Sequence, residues 1–93
     1  MDKKQAYKLF LDGWGYDAQA DITIEEMSEL TKALCKYKRH GKENSDDQIK
    51  QNVKEEIADV LNMAEQLAYY FGEEEIEKIR QQKIERALKR LQK

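Results

Sequence analysis

The chain has 93 residues, with 17 Lys or Arg against 19 Asp or Glu, a net charge of −2, no proline, one cysteine and one histidine. A length of this order makes a single domain over residues 1–93, and a composition that is 39% charged and free of proline suits long helices. The balance of charge excludes a general nucleic-acid binder, which needs a basic face to displace counterions, and Cys35 alone excludes an intrachain disulfide or a cysteine-based zinc site.

A lone thiol fits a reducing compartment. No apolar run approaches the roughly 20 residues that cross a bilayer, and MDKKQAYKLF lacks a signal-peptide core. The expected location is therefore the cytoplasm, with no membrane partner. A chain this short buries only roughly 60–65% of its unfolded surface, so a monomer is expected to be marginal.

Residues 3 to 12 predict a short amphipathic helix with Ala6, Leu9 and Phe10 on one side. DGWGYD, with Gly13 and Gly15, predicts a turn. A second helix runs to about His40, where Gly41 can end it. Thr23 and Glu26 match a capping box for its start, and a start near Gln19 is the alternative. Its apolar residues Ile24, Met27, Leu30, Leu34 and Tyr37 recur every three or four positions.

GKENSDD is a polar connection with Ser45 or Asp46 as the cap of a third helix, about 46 to 71. Ile49, Val53, Ile57, Val60, Ala64, Leu67 and Phe71 form an uninterrupted seam along it. Such a helix is about 39 Å long at 1.5 Å per residue, too long for a small monomer to wrap, so its seam is expected to find cover across a subunit interface. Gly72 breaks the pattern before a fourth helix, about 73 to 91, with Ile76, Ile79, Ile84, Ala87 and Leu91. The expected fold is an all-α bundle of about four helices, completed by homo-oligomerisation.

Two of these helices carry acids at i and i+3, in IEEMSEL and in EEIADVL. One such pair means little, since chance alone gives about four in this composition, and a solvated face or helix-pairing salt bridges account for either alone. Position adds information. Glu26 and Glu29 each precede a seam residue, as do Glu56 and Asp59, so four carboxylates can converge where the two helices pack. Unneutralised, they repel. Oxygen ligands alone favour a hard divalent ion, Mg²⁺ or Mn²⁺, which meets substrate phosphates. The Glu-x-x-His pattern of di-iron bundles is absent around His40.

EEMSEL followed by EEIADVL resembles the Glu-Glu-x-x-Glu … Glu-x-x-Asp signature of MazG-like, all-α nucleoside triphosphate pyrophosphohydrolases. WGYDAQ, ALCKYKR, MAEQLAYYFG and KIRQQKIERALKRL look like the same family in compact, single-domain form, so the resemblance spans nearly the whole chain. It implies a helical homodimer or homotetramer that uses Mg²⁺, with Mn²⁺ as a substitute, to split an NTP or dNTP into the monophosphate and pyrophosphate. It places Glu26, Glu29, Glu56 and Asp59 at the metal-binding positions, where they act in catalysis through the ion. Glu25 and Glu55 match the preceding acids, which either orient ligands or water or simply face solvent, and the lesser, solvent-facing role is expected. Phosphoribosyl-ATP pyrophosphatase is the nearer rival, with a related acidic pattern. A non-catalytic helical oligomer or partner-binding module is the more distant one.

Lys83, Arg86 and Arg90 share a face of the last helix. KIER looks like the family's late basic motif, which implies phosphate contacts for Lys83 and Arg86 and a weaker case for Arg90. Complementing the helix dipole is the alternative. Trp14 either stacks on a nucleobase, with Gln19 reading its edge, or plugs a helix junction. Asn62 either orients a carboxylate or water, or faces solvent. Cys35 is expected to be a small buried hydrophobe, and Tyr69, Tyr70 and Phe71 to be core or interface. Lys36, Lys38 and Arg39 read as a solvated end.

Overall fold

The computed structural model describes residues 1–41 and 47–92. The expected cap at Ser45 or Asp46 lies outside them. Four α-helices follow in chain order: α1 (Lys3–Trp14), α2 (Tyr16–Lys36), α3 (Asp47–Phe71) and α4 (Glu73–Leu91). No strand occurs among the described residues, so the all-α expectation is met. A π-helical turn, Tyr37–Gly41, extends α2. No helix among the described residues is long and apolar enough to cross a membrane.

Local chemistry sets the helix ends. At the start of α1 the Asp2 carboxylate accepts from the Gln5 backbone N–H at 2.8 Å, and the Asp2 N–H donates to Gln5 Oε1 at 2.9 Å. This capping box satisfies two donors that the first turn leaves free. The break predicted over Gly13 and Gly15 falls on Gly15 alone, because Gly13 stays helical. Gly15 has φ 91° and Gly72 φ 119°, backbone angles that an L side chain adopts only under strain, so the two corners of the fold fall on glycines.

The capping box expected at Thr23 and Glu26 does not form. The second helix already begins at Tyr16, and Thr23 Oγ1 donates back to the Gln19 carbonyl at 2.8 Å. That bond satisfies a buried hydroxyl inside the helix and leaves Glu26 free to turn towards α3.

The framework is the α2–α3 pair. Glu26 meets Asp59 while Gln19 and Gln66 line one cavity, so the pair runs antiparallel. The inner row of α2 is Gln19, Thr23, Glu26, Leu30 and Ala33, and that of α3 is Val53, Glu56, Val60, Met63 and Gln66, all buried or half-buried. The predicted seams therefore pack through only part of their length. Leu30, Val53, Val60 and Leu67 are half-buried, whereas Ile24, Met27, Leu34, Ile57, Ala64 and Phe71 are exposed. The apolar stripes are wider than one helix contact, and the antiparallel contact is centred one residue before them. Ile24, Met27 and Leu34 follow the inner positions Thr23, Glu26 and Ala33, as Ile57 and Ala64 follow Glu56 and Met63. In an antiparallel pair this common offset turns both sets to the same side.

Among the described residues only Tyr7 and Ala33 are fully buried apolar side chains, and Gln19, Thr23 and Gln66 are buried polar ones. Cys35, expected to be buried, is exposed, because it lies two positions past the inner Ala33. Tyr16 stacks on Tyr70 with centroids 4.7 Å apart and meets Phe71 edge-on at 5.5 Å, closing the corner between α2 and the end of α3.

The first helix crosses the pair on the side opposite the apolar stripe. Tyr7 Oη donates to Glu65 Oε2 at 2.9 Å, and Lys4 pairs with Glu73 at 2.7 Å, tying α1 to α3 and to the start of α4. Beyond Ile76 every described residue of α4 is exposed, so this helix projects as an arm with Ile79, Ile84, Leu88 and Leu91 uncovered.

Candidate metal centre and nucleotide cavity

Spacing along the inner rows builds the acidic centre. Glu26 follows Gln19 and Thr23 at seven and three positions on α2, while Glu56 and Asp59 sit one turn apart on α3. One carboxylate oxygen from each of Glu26, Glu56 and Asp59 lies within 4.8 Å of the others. Glu29, the fourth expected ligand, is not in that set. It is exposed and lies 3.5 Å from Lys32 Nζ, yet close enough that its charge acts on Glu56. Glu25 and Glu55 are exposed and influence the centre only through their charge.

Burial and the crowding of negative charge favour the protonated forms of Glu26 and Glu56. Partial burial lifts Glu26 above its ordinary value of 4.5, reinforced by its hydrogen bond to Asp59 and by the charges of Asp59, Glu56 and Glu25. Partial burial also lifts Glu56, followed by the charges of Asp59, Glu29 and Glu55. Glu56 Oε2 is shielded from solvent and has no hydrogen-bond partner. None of the salt bridges among the described residues reaches Glu26, Glu56 or Asp59.

A cavity of about 480 Å³ opens beside the acids. The first helix contributes Lys3, Ala6, Tyr7, Phe10 and Trp14, α2 contributes Gln19, Ile22 and Glu26, and α3 contributes Asp59, Asn62, Met63 and Gln66. That size lies in the range of small-molecule sites, about 300–1,000 Å³. Phe10 and Trp14, one turn apart on α1, stack with centroids 5.3 Å apart and planes inclined by 17°. Trp14 is 65% exposed, which leaves its ring as a wall rather than a plug. A second hollow of about 570 Å³, between α1, α3 and α4, contains none of these acids.

Five of the residues expected from the sequence thus share one cavity: Trp14, Gln19, Glu26, Asp59 and Asn62. Lys83 and Arg86 do not line it; they are exposed on the α4 arm. Lys36, Lys38 and Arg39 are exposed, as expected. Sequence reasoning missed Tyr7, Phe10, Met63 and Gln66. Gln66 continues the inner row Glu56, Val60, Met63 at helical spacing, but the sequence pattern turns the neighbouring seam inward and so gives no sign of it.

Tyr7 ties the α1 wall of the cavity to α3 through its bond to Glu65. Burial, the bond to Glu65 and the charge of Glu65 push its phenol up to about 12, so it remains a donor over the whole neutral range.

Compared with protein-family models, with curated proteins and with solved structures, the chain gives no match.

Proposed function

We propose that the chain is a MazG-like, Mg²⁺-dependent nucleoside triphosphate pyrophosphohydrolase that converts an NTP or dNTP to the monophosphate and pyrophosphate, working as a homo-oligomer. The observation that carries this reading is the convergence of Glu26, Glu56 and Asp59 within 4.8 Å at the edge of an aromatic-walled cavity. The donor set fits a hard divalent cation. It is all oxygen, it comes from two facing helices, and it includes a shielded Glu56 oxygen with no partner. When bound, the ion supplies charge neutralisation for the phosphates and a more acidic water.

The chain's own residues divide the remaining work. Glu26, Glu56 and Asp59 hold the ion, and Glu29 adds negative charge beside it. Phe10 and Trp14 offer a flat apolar wall suited to a base, with Gln19 and Asn62 as polar contacts in the same cavity. Lys3 supplies a cation on the cavity wall. Lys83 and Arg86 stand outside the cavity of their own chain, so any phosphate contact they make is in the cavity of a second copy. In the reaction a water oxygen bonds to phosphorus, the phosphoanhydride P–O bond breaks, and pyrophosphate leaves.

The test is a panel of NTPs and dNTPs, with phosphoribosyl-ATP beside them, scored for pyrophosphate release in Mg²⁺ and in EDTA. Thermal melts of Glu56→Gln and Asp59→Asn accompany it. Both variants lose most hydrolysis and most of the stabilisation by Mg²⁺, since an ion that binds only the folded state raises its apparent stability. Without metal they melt at or above the wild-type temperature, because one repelling charge is gone. Full activity and an unchanged Mg²⁺ response in both variants would remove the metal centre from the mechanism.

A further inference from the structure

We propose that Gln19 and Gln66 form a two-point reader of a nucleobase edge, with Gln19 Nε2 donating to the base and Gln66 Oε1 accepting from it. The inference deepens the nucleotide reading above and rests on it.

Both amides are only 2% exposed, and each has a buried atom with no partner: Nε2 of Gln19 and Oε1 of Gln66. Buried polar groups are almost always paired, so orphaned atoms call for a partner supplied from outside the chain. Both residues line the cavity that reaches Glu26 and Asp59 of the acidic centre. They come from different helices, and one presents a donor and the other an acceptor.

The orientation of Gln66 follows from its neighbour. Its Nε2 lies 3.9 Å from Met63 Sδ. A thioether can only accept, so the nitrogen turns towards the sulfur and the oxygen is left over. A phosphate also only accepts and cannot satisfy that oxygen. The two ends of the cavity therefore differ, with acids for cation-bridged phosphates and amides for a heterocycle that carries an acceptor beside an N–H. Every unmodified nucleobase presents that pair on its Watson–Crick edge, and alkylating the ring nitrogen of uracil removes the N–H. The stacked rings of Phe10 and Trp14, with Ile22 and Met63, supply the apolar walls such a ring needs.

The experiment is calorimetry on the full chain with AMP, GMP, CMP, UMP and N3-methyl-UMP, and with inorganic tripolyphosphate in Mg²⁺. It compares wild type with Gln66→Leu and Gln19→Leu. Wild type binds at least one unmodified monophosphate, and N3-methyl-UMP more weakly than UMP. Each variant loses about tenfold or more in monophosphate affinity, the scale of one hydrogen bond, and keeps its tripolyphosphate affinity. Ligand-free melts rise in both variants, because a buried amide with one unpaired atom has been replaced by an apolar side chain. The inference falls if the variants bind monophosphates as wild type does, or if tripolyphosphate binding drops equally. It also falls if no monophosphate binds wild type while pyrophosphate release persists, an outcome that leaves the hydrolase reading standing. Monophosphate binding that depends on both amides, in a protein that releases no pyrophosphate, removes the hydrolase and keeps the reader.

Discussion

Ile57→Asp separates the folding of the chain from its assembly. Ile57 is 40% exposed and lies on the side of the α2–α3 pair that also carries Ile24, Met27 and Leu34. Full burial of such a side chain stabilises by about 1.5–3 kcal/mol, so the exposed part of Ile57 leaves roughly 1 kcal/mol to be gained against a second copy. Four side chains of this kind give roughly 4 kcal/mol per subunit, and a two-fold interface counts each twice. The total, about 8 kcal/mol, falls within the range of association costs, about 4–15 kcal/mol. The stripe alone therefore makes a dimer near balance, and a stable dimer would need the uncovered α4 arm to add to it.

An aspartate at this position removes about 1 kcal/mol of apolar contact and adds roughly 2 kcal/mol for desolvating a charge. Two-fold symmetry doubles the loss to about 6 kcal/mol, or about 10⁴-fold in the dissociation constant. Inside its own chain the position is open enough for the carboxylate to stay wet, so helix content survives. Val60→Asp, half-buried between α2 and α3, loses helix content instead. Light scattering and sedimentation across micromolar concentrations, with circular dichroism on the same samples, make the measurement. A monomeric wild type at these concentrations, or an Ile57→Asp variant that associates as wild type does, refutes the reasoning.

Tyr7→Phe removes the bond to Glu65 and should cost about 1 kcal/mol, since the phenol is buried but its partner is exposed. For a domain of this size that is about 4–8 °C in melting temperature, and an unchanged melt removes the α1–α3 tie as a determinant of stability. For Glu26 and Glu56 the folded state raises the pKa, so ionisation costs stability: the penalty is absent below 4.5 and complete above the raised values. The metal-free protein should therefore gain stability relative to Glu26→Gln as pH falls from neutrality towards 4.5, and a parallel pair of melting curves contradicts this. Lys83→Ala and Arg86→Ala should weaken nucleotide turnover while leaving Mg²⁺ stabilisation intact; unchanged kinetics return that face of α4 to solvent.

Helices and corners were legible because local rules decide them. Apolar spacing located α3 and α4 almost to the residue, and Gly15 and Gly72 marked corners that need positive φ. The start of α2 was misplaced because Thr23 satisfies the sequence pattern of a cap equally well when its hydroxyl bonds back into a helix. Which side of each helix faces its partner was not legible in the same way. The stripe through Ile24, Met27 and Leu34 is the more apolar side of α2, and periodicity alone turns it inward. The fold instead places Gln19, Thr23 and Glu26 inward, a preference set by the partner helix and invisible in either helix alone. The acids of α2 and α3 converge because both inner rows shift by one residue, an outcome that depends on the antiparallel pairing. Gln66 was missed for a related reason: a glutamine between apolar residues carries no signal until its neighbours show that it is buried.

The arrangement puts the polar groups where the chain shields best and the apolar ones where it shields least. Inverting the usual order costs stability within one chain, through the repelling carboxylates and the unpaired amides. In the proposed function, two agents would offset that cost from opposite sides of the same helix pair. A cation and a nucleotide would satisfy the inner row from the cavity side, and a second copy would cover the stripe on the other. Both would act on the equilibrium between the packed and the separated α2–α3 pair. Linkage then requires reciprocity: whatever fills the cavity favours association, and association tightens the cavity by the same factor. A fold with only Tyr7 and Ala33 fully buried among its described apolar side chains would then gain rigidity from what it binds, and a change at the site would be felt at the interface.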